Sequence, residues 1–134
     1  MNELRGNIKT VEVSGNLSLV TVQLQNGQLL KAIVIDTPQS AAYLEPETAV
    51  AVVFKETEVI ISTGTQLQIS LQNQIPAKIS ALEKGKLLSK LKLKSTAGNL
   101  SSIISSAAVE QLKLELGQEV TAMIKLNEVM LRAL

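Results

Sequence analysis

Phe54-Lys-Glu-Thr-Glu-Val-Ile-Ile61 returns as Ile124-Lys-Leu-Asn-Glu-Val-Met-Leu131. Nearer the start, Asn2-Glu-Leu-Arg-Gly-Asn-Ile8 returns as Asn73-Gln-Ile-Pro-Ala-Lys-Ile79. The offset is 70 residues for the first pair and 71 for the second, so one residue slips between them. A tandem duplication divides the chain into two small copies, 1–63 and 70–134, with a linker or entry strand at 64–69. Any site is then expected in related pairs, one per copy or between copies.

Reading outward from these stretches gives strands. Val20-x-Val22-x-Leu24 alternates as a half-buried strand should, and Leu91-x-Leu93 matches it with Lys90, Lys92 and Lys94 on the other face. Asn26-Gly27 is a hairpin signal, and Ala97-Gly98-Asn99 holds the same place in copy two. Leu29 to Ile35 and Leu100 to Ile104 read as the next strands. Val50-x-Val52-x-Phe54 and Val120-x-Ala122-x-Ile124 follow, and Val59 to Ile61 and Val129 to Leu131 are expected to close each copy. Pro38 to Leu44 and Ser106 to Leu112 read as helices of one or two turns. The expected fold is all-β: two tandem five-stranded barrels of the OB type, each with one short helix.

Composition limits what the fold can do. Of 134 residues none is cysteine or histidine, and Asp36 is the only aspartate. Disulfides and thiolate metal sites are excluded, and zinc and Ser-His nucleophile systems lack their parts. Glu45/Glu47 and Glu56/Glu58 read as solvated charges rather than an acid–base pair, so no enzyme is expected. No apolar run approaches a membrane span, and the first 20 residues lack a basic start followed by an apolar stretch. A soluble, non-exported cytoplasmic protein is expected. A lone copy leaves too much of its surface wet to be robustly stable, so the copies should pack on each other or on other subunits.

Three features suit an anion, and each also has a plainer reading: a helix cap with nothing bound, an exposed strand-end lysine, or the polar end of a linker. Thr37 before Pro38, and Ser105-Ser106 before Ala107-Ala108, suit helix caps. A helix start presents unpaired N–H groups and partial positive charge, and Thr37, Ser40 and Ser105 add hydroxyls. Lys55 and Lys125 hold the same internal position, each after an apolar strand and before a turn. Ser70-Leu-Gln-Asn73 offers a hydroxyl and two amides before copy two's first strand, where copy one has no room for an equivalent.

The doubled pattern resembles the Mop domain, the small molybdate- and tungstate-binding module of the TOBE class, in its two-copy molbindin form. The family's opening Ser-Ala-Arg-Asn-x-Leu-x-Gly is met by Ser70-Leu-Gln-Asn-Gln-Ile-Pro-Ala77 and by a shortened Asn2-Glu-Leu-Arg-Gly6. Its middle segment is met by Ile103-Ile-Ser-Ser-Ala-Ala-Val-Glu-Gln-Leu112, and its late Val-x-Ala-x-Ile-Lys-x-Ser-x-Val by Val120 to Val129 and Val50 to Val59. The resemblance implies a molybdate or tungstate ion, without organic cofactor, held at interfaces between Mop domains for intracellular storage or homeostasis. By position the ligands it implies are Ser70, Gln72, Asn73, Ser105, Ala108 and Lys125 for copy two, and Thr37, Ser40 and Lys55 for copy one. Gln72 stands where the family has arginine, losing a fixed charge and a bidentate fork. The resemblance also implies a homotrimer. The alternatives are an oligomerisation or effector module of a molybdate-responsive regulator or transporter with weak or lost ion binding, and an OB-type single-stranded nucleic-acid binder. Nucleic acid would need stacking aromatics, and only Tyr43 and Phe54 are present. No nucleic-acid and no membrane partner is expected. A donor-only pocket suits molybdate, a dianion without a proton, so Asp36 is expected to point away.

Overall fold

The computed structural model describes residues 1–64 and 67–134; Thr65 and Gln66 of the expected linker lie outside the described residues. In the first repeat the strands are β1 (Asn2–Ser14), β2 (Leu17–Leu24), β3 (Leu29–Val34), β4 (Ala49–Phe54) and β5 (Ile60–Ser62). In the second they are β6 (Asn73–Lys84), β7 (Leu88–Lys94), β8 (Leu100–Ser105), β9 (Glu119–Ile124) and β10 (Met130–Ala133). A single helix, α1 (Ser106–Gln111), follows β8 among the described residues.

Alternation carries the strands. In β2, Val20, Val22 and Leu24 are buried, and in β7 Leu91 and Leu93 are buried between exposed Lys92 and Lys94. Burying a side chain of this size contributes about 1.5–3 kcal/mol. Residues from both repeats form one continuous apolar core, including Phe54 and its counterpart Ile124, both fully buried. The Asn26-Gly27 hairpin forms as expected, with Gly27 at φ 88°. Equivalent irregularities interrupt β1 between Ile8 and Thr10 and β6 between Ile79 and Ala81, bending both long strands at the same point.

The closing strands depart from the sequence reading. One sheet runs β10-β4-β1-β2-β3 and the other β5-β9-β6-β7-β8. Leu131 pairs with Val52 and Ile61 with Ala122, so each repeat's last strand completes the other repeat's sheet. The expectation that Val59–Ile61 and Val129–Leu131 close their own copies is therefore corrected. After β4 the 3₁₀ turn Glu56–Glu58 carries the chain onto β8, and the buried Ser102 hydroxyl donates to Val59 O at 2.8 Å. The matching turn Leu126–Glu128 packs on β3. β10 also meets β3 and β5 meets β8, which curls each sheet toward a barrel.

The helix expected at 38–44 does not form; the segment is a series of turns. The Thr37 amide donates to the Ser40 hydroxyl at 2.9 Å and that hydroxyl donates to Asp36 at 3.0 Å, local bonds that compete with a helix here. In copy two the expected helix is present, and the Ser105 hydroxyl accepts the Ala108 amide at 3.0 Å.

Candidate functional site

Strand exchange decides which candidate residues meet. Asn73 pairs with Ile124, so the entry to β6 lies beside Lys125. The Asn73 side chain reaches into the other repeat. Its Nδ2 donates to Lys31 O and its Oδ1 accepts from Lys31 N, both at 2.8 Å. Asn2 makes the same double bond to Ser101 of β8, at 2.8 and 2.7 Å. Asn73 is 1% exposed, so it is a clamp between repeats rather than an open donor. β3 and β8 are outer strands, and each asparagine amide stands in for the peptide group that the edge lacks. Ser70 and Gln72, just before the clamp, are exposed.

Lys55 and Lys125 stand at the entry to the two 3₁₀ turns, both extended and both exposed. Their carbonyls accept from Glu58 N and Glu128 N, each at 3.0 Å. Because the turns cross over, the turn after Lys55 packs on β8 and the turn after Lys125 packs on β3. The grouping by copy expected from sequence, Ser105 with Lys125 and Thr37 and Ser40 with Lys55, is therefore not the one the strands make.

The corners after β3 and β8 are not equivalent. Ser18 pairs with Val34, and its counterpart Ser89 pairs with Ile104. In this register Ile35 takes the place of Ser105, Asp36 of Ser106, Thr37 of Ala107 and Pro38 of Ala108. At the second corner the Ser106 amide donates to Leu87 O at 2.8 Å and the Ala108 amide is held by Ser105. The donors that remain for an external anion are the Ser105 hydroxyl proton and the Ala107 amide; Ala108 contributes its amide internally. At the first corner Ser40 Oγ donates to Asp36 Oδ1 at 3.0 Å. The expectation that Asp36 points away is corrected: its carboxylate meets the hydroxyl of a candidate ligand. Tyr43 senses it too, its phenol pKa raised first by burial and then by the Asp36 charge. Thr37 and Ser40 line an open groove of about 450 Å³ together with Ile35 and Asp36.

Within one chain the donors do not converge. Lys55 enters β8 territory near Ser101, which Asn2 clamps, while Ser105 lies four residues farther along the strand. At about 3.3 Å per residue that is roughly 13 Å, beyond the span of one tetrahedral ion. Phe54 is fully buried and Tyr43 partly so, which leaves no aromatic platform for a nucleobase among the described residues. The described residues contain no His/Cys/Asp/Glu group able to hold a metal cation and no helix long and apolar enough to cross a membrane.

The TOBE domain model matches the chain twice, over residues 1–61 and 69–131. Molybdenum-pterin-binding protein 1 of Clostridium pasteurianum is 40% identical over 68 residues, covering 50% of this chain and 100% of that protein. A probable molybdenum-pterin-binding protein of Haemophilus influenzae is 40% identical over 65 residues, covering 48% of this chain and 94% of the relative. Among solved structures, the cytoplasmic molybdate-binding protein ModG, in a molybdate-bound form, superposes with a TM-score of 0.92 at 24% identity. That match covers 99% of this chain and 96% of ModG, and it establishes the two-barrel fold.

Proposed function

The chain belongs to the TOBE-domain family as two tandem copies, and from that premise we propose that it binds molybdate or tungstate between domains of neighbouring chains, as a non-catalytic store in the cytoplasm. The observation that carries this reading is the arrangement of donors. Ser70, Ser105, Lys55 and Lys125 are exposed, the turns after the two lysines pack on the other repeat, and Lys55 lies too far from Ser105 to share one ion with it within a chain.

Molybdate at neutral pH has four accepting oxygens and no proton, so hydroxyls, amides and ammonium groups suit it. A hydrogen bond to a charged group contributes about 1.5–3 kcal/mol. Micromolar affinity needs about 8 kcal/mol, or on the order of five such bonds before ordering costs. The second corner supplies two donors, and neither Lys55 nor Lys125 of the same chain stands beside them. The rest must come from another chain, so assembly belongs to the mechanism; a homotrimer is the form proposed.

Titration calorimetry of the whole chain with molybdate, tungstate, sulfate and phosphate tests this, beside light scattering for the assembly. Molybdate and tungstate should bind and phosphate should not. Lys125→Ala should weaken molybdate at least tenfold with the fold intact, since its side chain is exposed. Absence of heat with all four anions would leave the oligomerisation or effector module as the function, a reading that Gln72 in place of an arginine favours. A stable monomer would contradict the shared site.

A further inference from the structure

We propose that copies of the chain meet head to tail: the outward apolar face of β2 and β3 in one copy seats on the β6–β7 hairpin tip and the outward face of β7 in a second copy. This rests on the proposed assembly of chains and adds which faces of them meet. Alternation sets the first face. Val20, Val22 and Leu24 are turned into the core, so Leu17 and Leu19 point outward from the same strand. Ile33 is the cross-strand partner of Leu19, and Ile35 follows two residues later. Ile35 is 77% exposed and Leu17 is 42% exposed, with Leu19 and Ile33 half-buried beside them. Four neighbouring aliphatic side chains left facing water mark an interaction surface, where scattered ones would not. The second face holds the same place in repeat two. Leu88 and Lys90 point outward from β7, Ile103 pairs with Lys90, and Leu87 is 77% exposed in the turn before them.

Charge at the rims chooses the pairing. Glu12, cross-strand from Leu19, and Asp36, next to Ile35, border the first face, and both are exposed. Lys31 lies farther along β3 and is half-buried. Lys84, Lys86 and Lys90 border the second face; of the carboxylates there, Glu110 is paired with Lys84 and Glu83 stands cross-strand from Lys90. The first rim is acidic on balance and the second basic. Two first faces brought together would oppose carboxylates, and two second faces would oppose ammonium groups. A first face on a second face does neither, and like-charge juxtaposition is what excludes wrong partners. The strands that carry both faces, β1 to β3 and β6 to β8, each stay in the sheet of their own repeat, so the exchange of last strands leaves these rims as they are. Contact between unlike faces is heterologous and closes into a ring when the rotation permits, which gives the proposed trimer three equal contacts.

The test is sedimentation velocity on the full chain in buffer free of molybdate and tungstate, with circular dichroism to check folding. Leu17→Lys/Ile35→Lys blocks the first face, and Leu87→Glu/Leu88→Glu blocks the second. Each variant alone should sediment as a monomer, because its one intact face finds no complement. Mixed in equal amounts at high concentration, the two should form a dimer, since each supplies the face that the other has lost. The single changes Ile35→Ser and Leu87→Ser, milder for the fold, should each weaken self-association at least tenfold. A variant that self-associates alone would show like faces meeting and overturn the inference. So would a mixture that stays monomeric, or single variants that assemble as the native chain does. In those cases molybdate binding, followed separately by equilibrium dialysis, would still stand or fall by itself. A native chain that is monomeric with and without molybdate would remove both this inference and the shared site on which it rests.

Discussion

Replacing Asn73 with alanine separates a clamp from a ligand. The side chain makes two 2.8 Å bonds to the N–H and C=O of Lys31, on the side of β3 that has no strand neighbour. Alanine removes both partners at once and leaves two backbone groups unpaired. A buried group left unsatisfied costs about 1–3 kcal/mol. Lys31 is only half-buried, so water relieves part of that, and a total of about 2–4 kcal/mol is expected. With a urea m-value of about 2 kcal/mol/M, the unfolding midpoint should fall by about 1–2 M. Protein concentration must be held fixed, because assembly adds its own stabilisation. Asn73→Asp should cost at least as much. Its carboxylate can accept from Lys31 N, but it turns a second oxygen on Lys31 O and buries a charge. A midpoint shift below about 0.3 M for the alanine variant would mean the bonds carry little of the fold. Weakened molybdate binding with unchanged stability would return Asn73 to the list of ligands.

Two further outcomes test the contacts between elements. Gly98 has φ 131°, and a Cβ there would come 2.7 Å from Leu4 Cδ2 of the other repeat; Gly98→Ala should destabilise by about 1–3 kcal/mol, read as a urea midpoint shift. Lys84 Nζ lies 2.5 Å from Glu110 Oε1, and its hydrogen bond, then its charge, holds the Glu110 carboxyl below its ordinary pKa. Lys84→Met should let that pKa rise, seen by NMR titration of the side-chain carboxyl. The pair's support for the fold is present above the ordinary glutamate range and disappears as pH falls through the lowered value. An unmoved titration would mean the pair is absent in solution.

The sequence spoke clearly where local chemistry decides. Val20-x-Val22-x-Leu24 and Leu91-x-Leu93 are strands because only one of their faces is apolar. Ser105 caps a helix because its hydroxyl reaches the Ala108 amide. The first corner misled because Thr37-Pro38 looks like the start of a helix. Asp36 and Ser40 offer the backbone other hydrogen bonds there, a competition that residue preferences do not display. Asn73 looked like a ligand because an amide that clamps an edge and an amide that donates to an anion have the same formula. What would have helped is the pairing of Asn2 with Asn73 across the duplication. An amide kept in both copies points to a role that both copies share.

The exchange of last strands was hidden for a related reason. Val59 to Ile61 and Val129 to Leu131 have the same apolar pattern, so either can complete either sheet, and no residue preference chooses between them. The choice is made by the turns before them, Glu56–Glu58 and Leu126–Glu128, which leave their own sheets and pack on β8 and β3. The consequence reaches the candidate site. Had each strand closed its own barrel, the turn after Lys55 would have packed on β3, the strand that leads to Asp36. Exchange moves Lys55 to the repeat whose corner lacks a carboxylate and keeps Ser105. It leaves Lys125 with the repeat that holds Asp36. The two lysines therefore occupy the same internal position but different electrostatic surroundings, and their alanine variants should differ in effect on anion binding although the sequence around them is repeated.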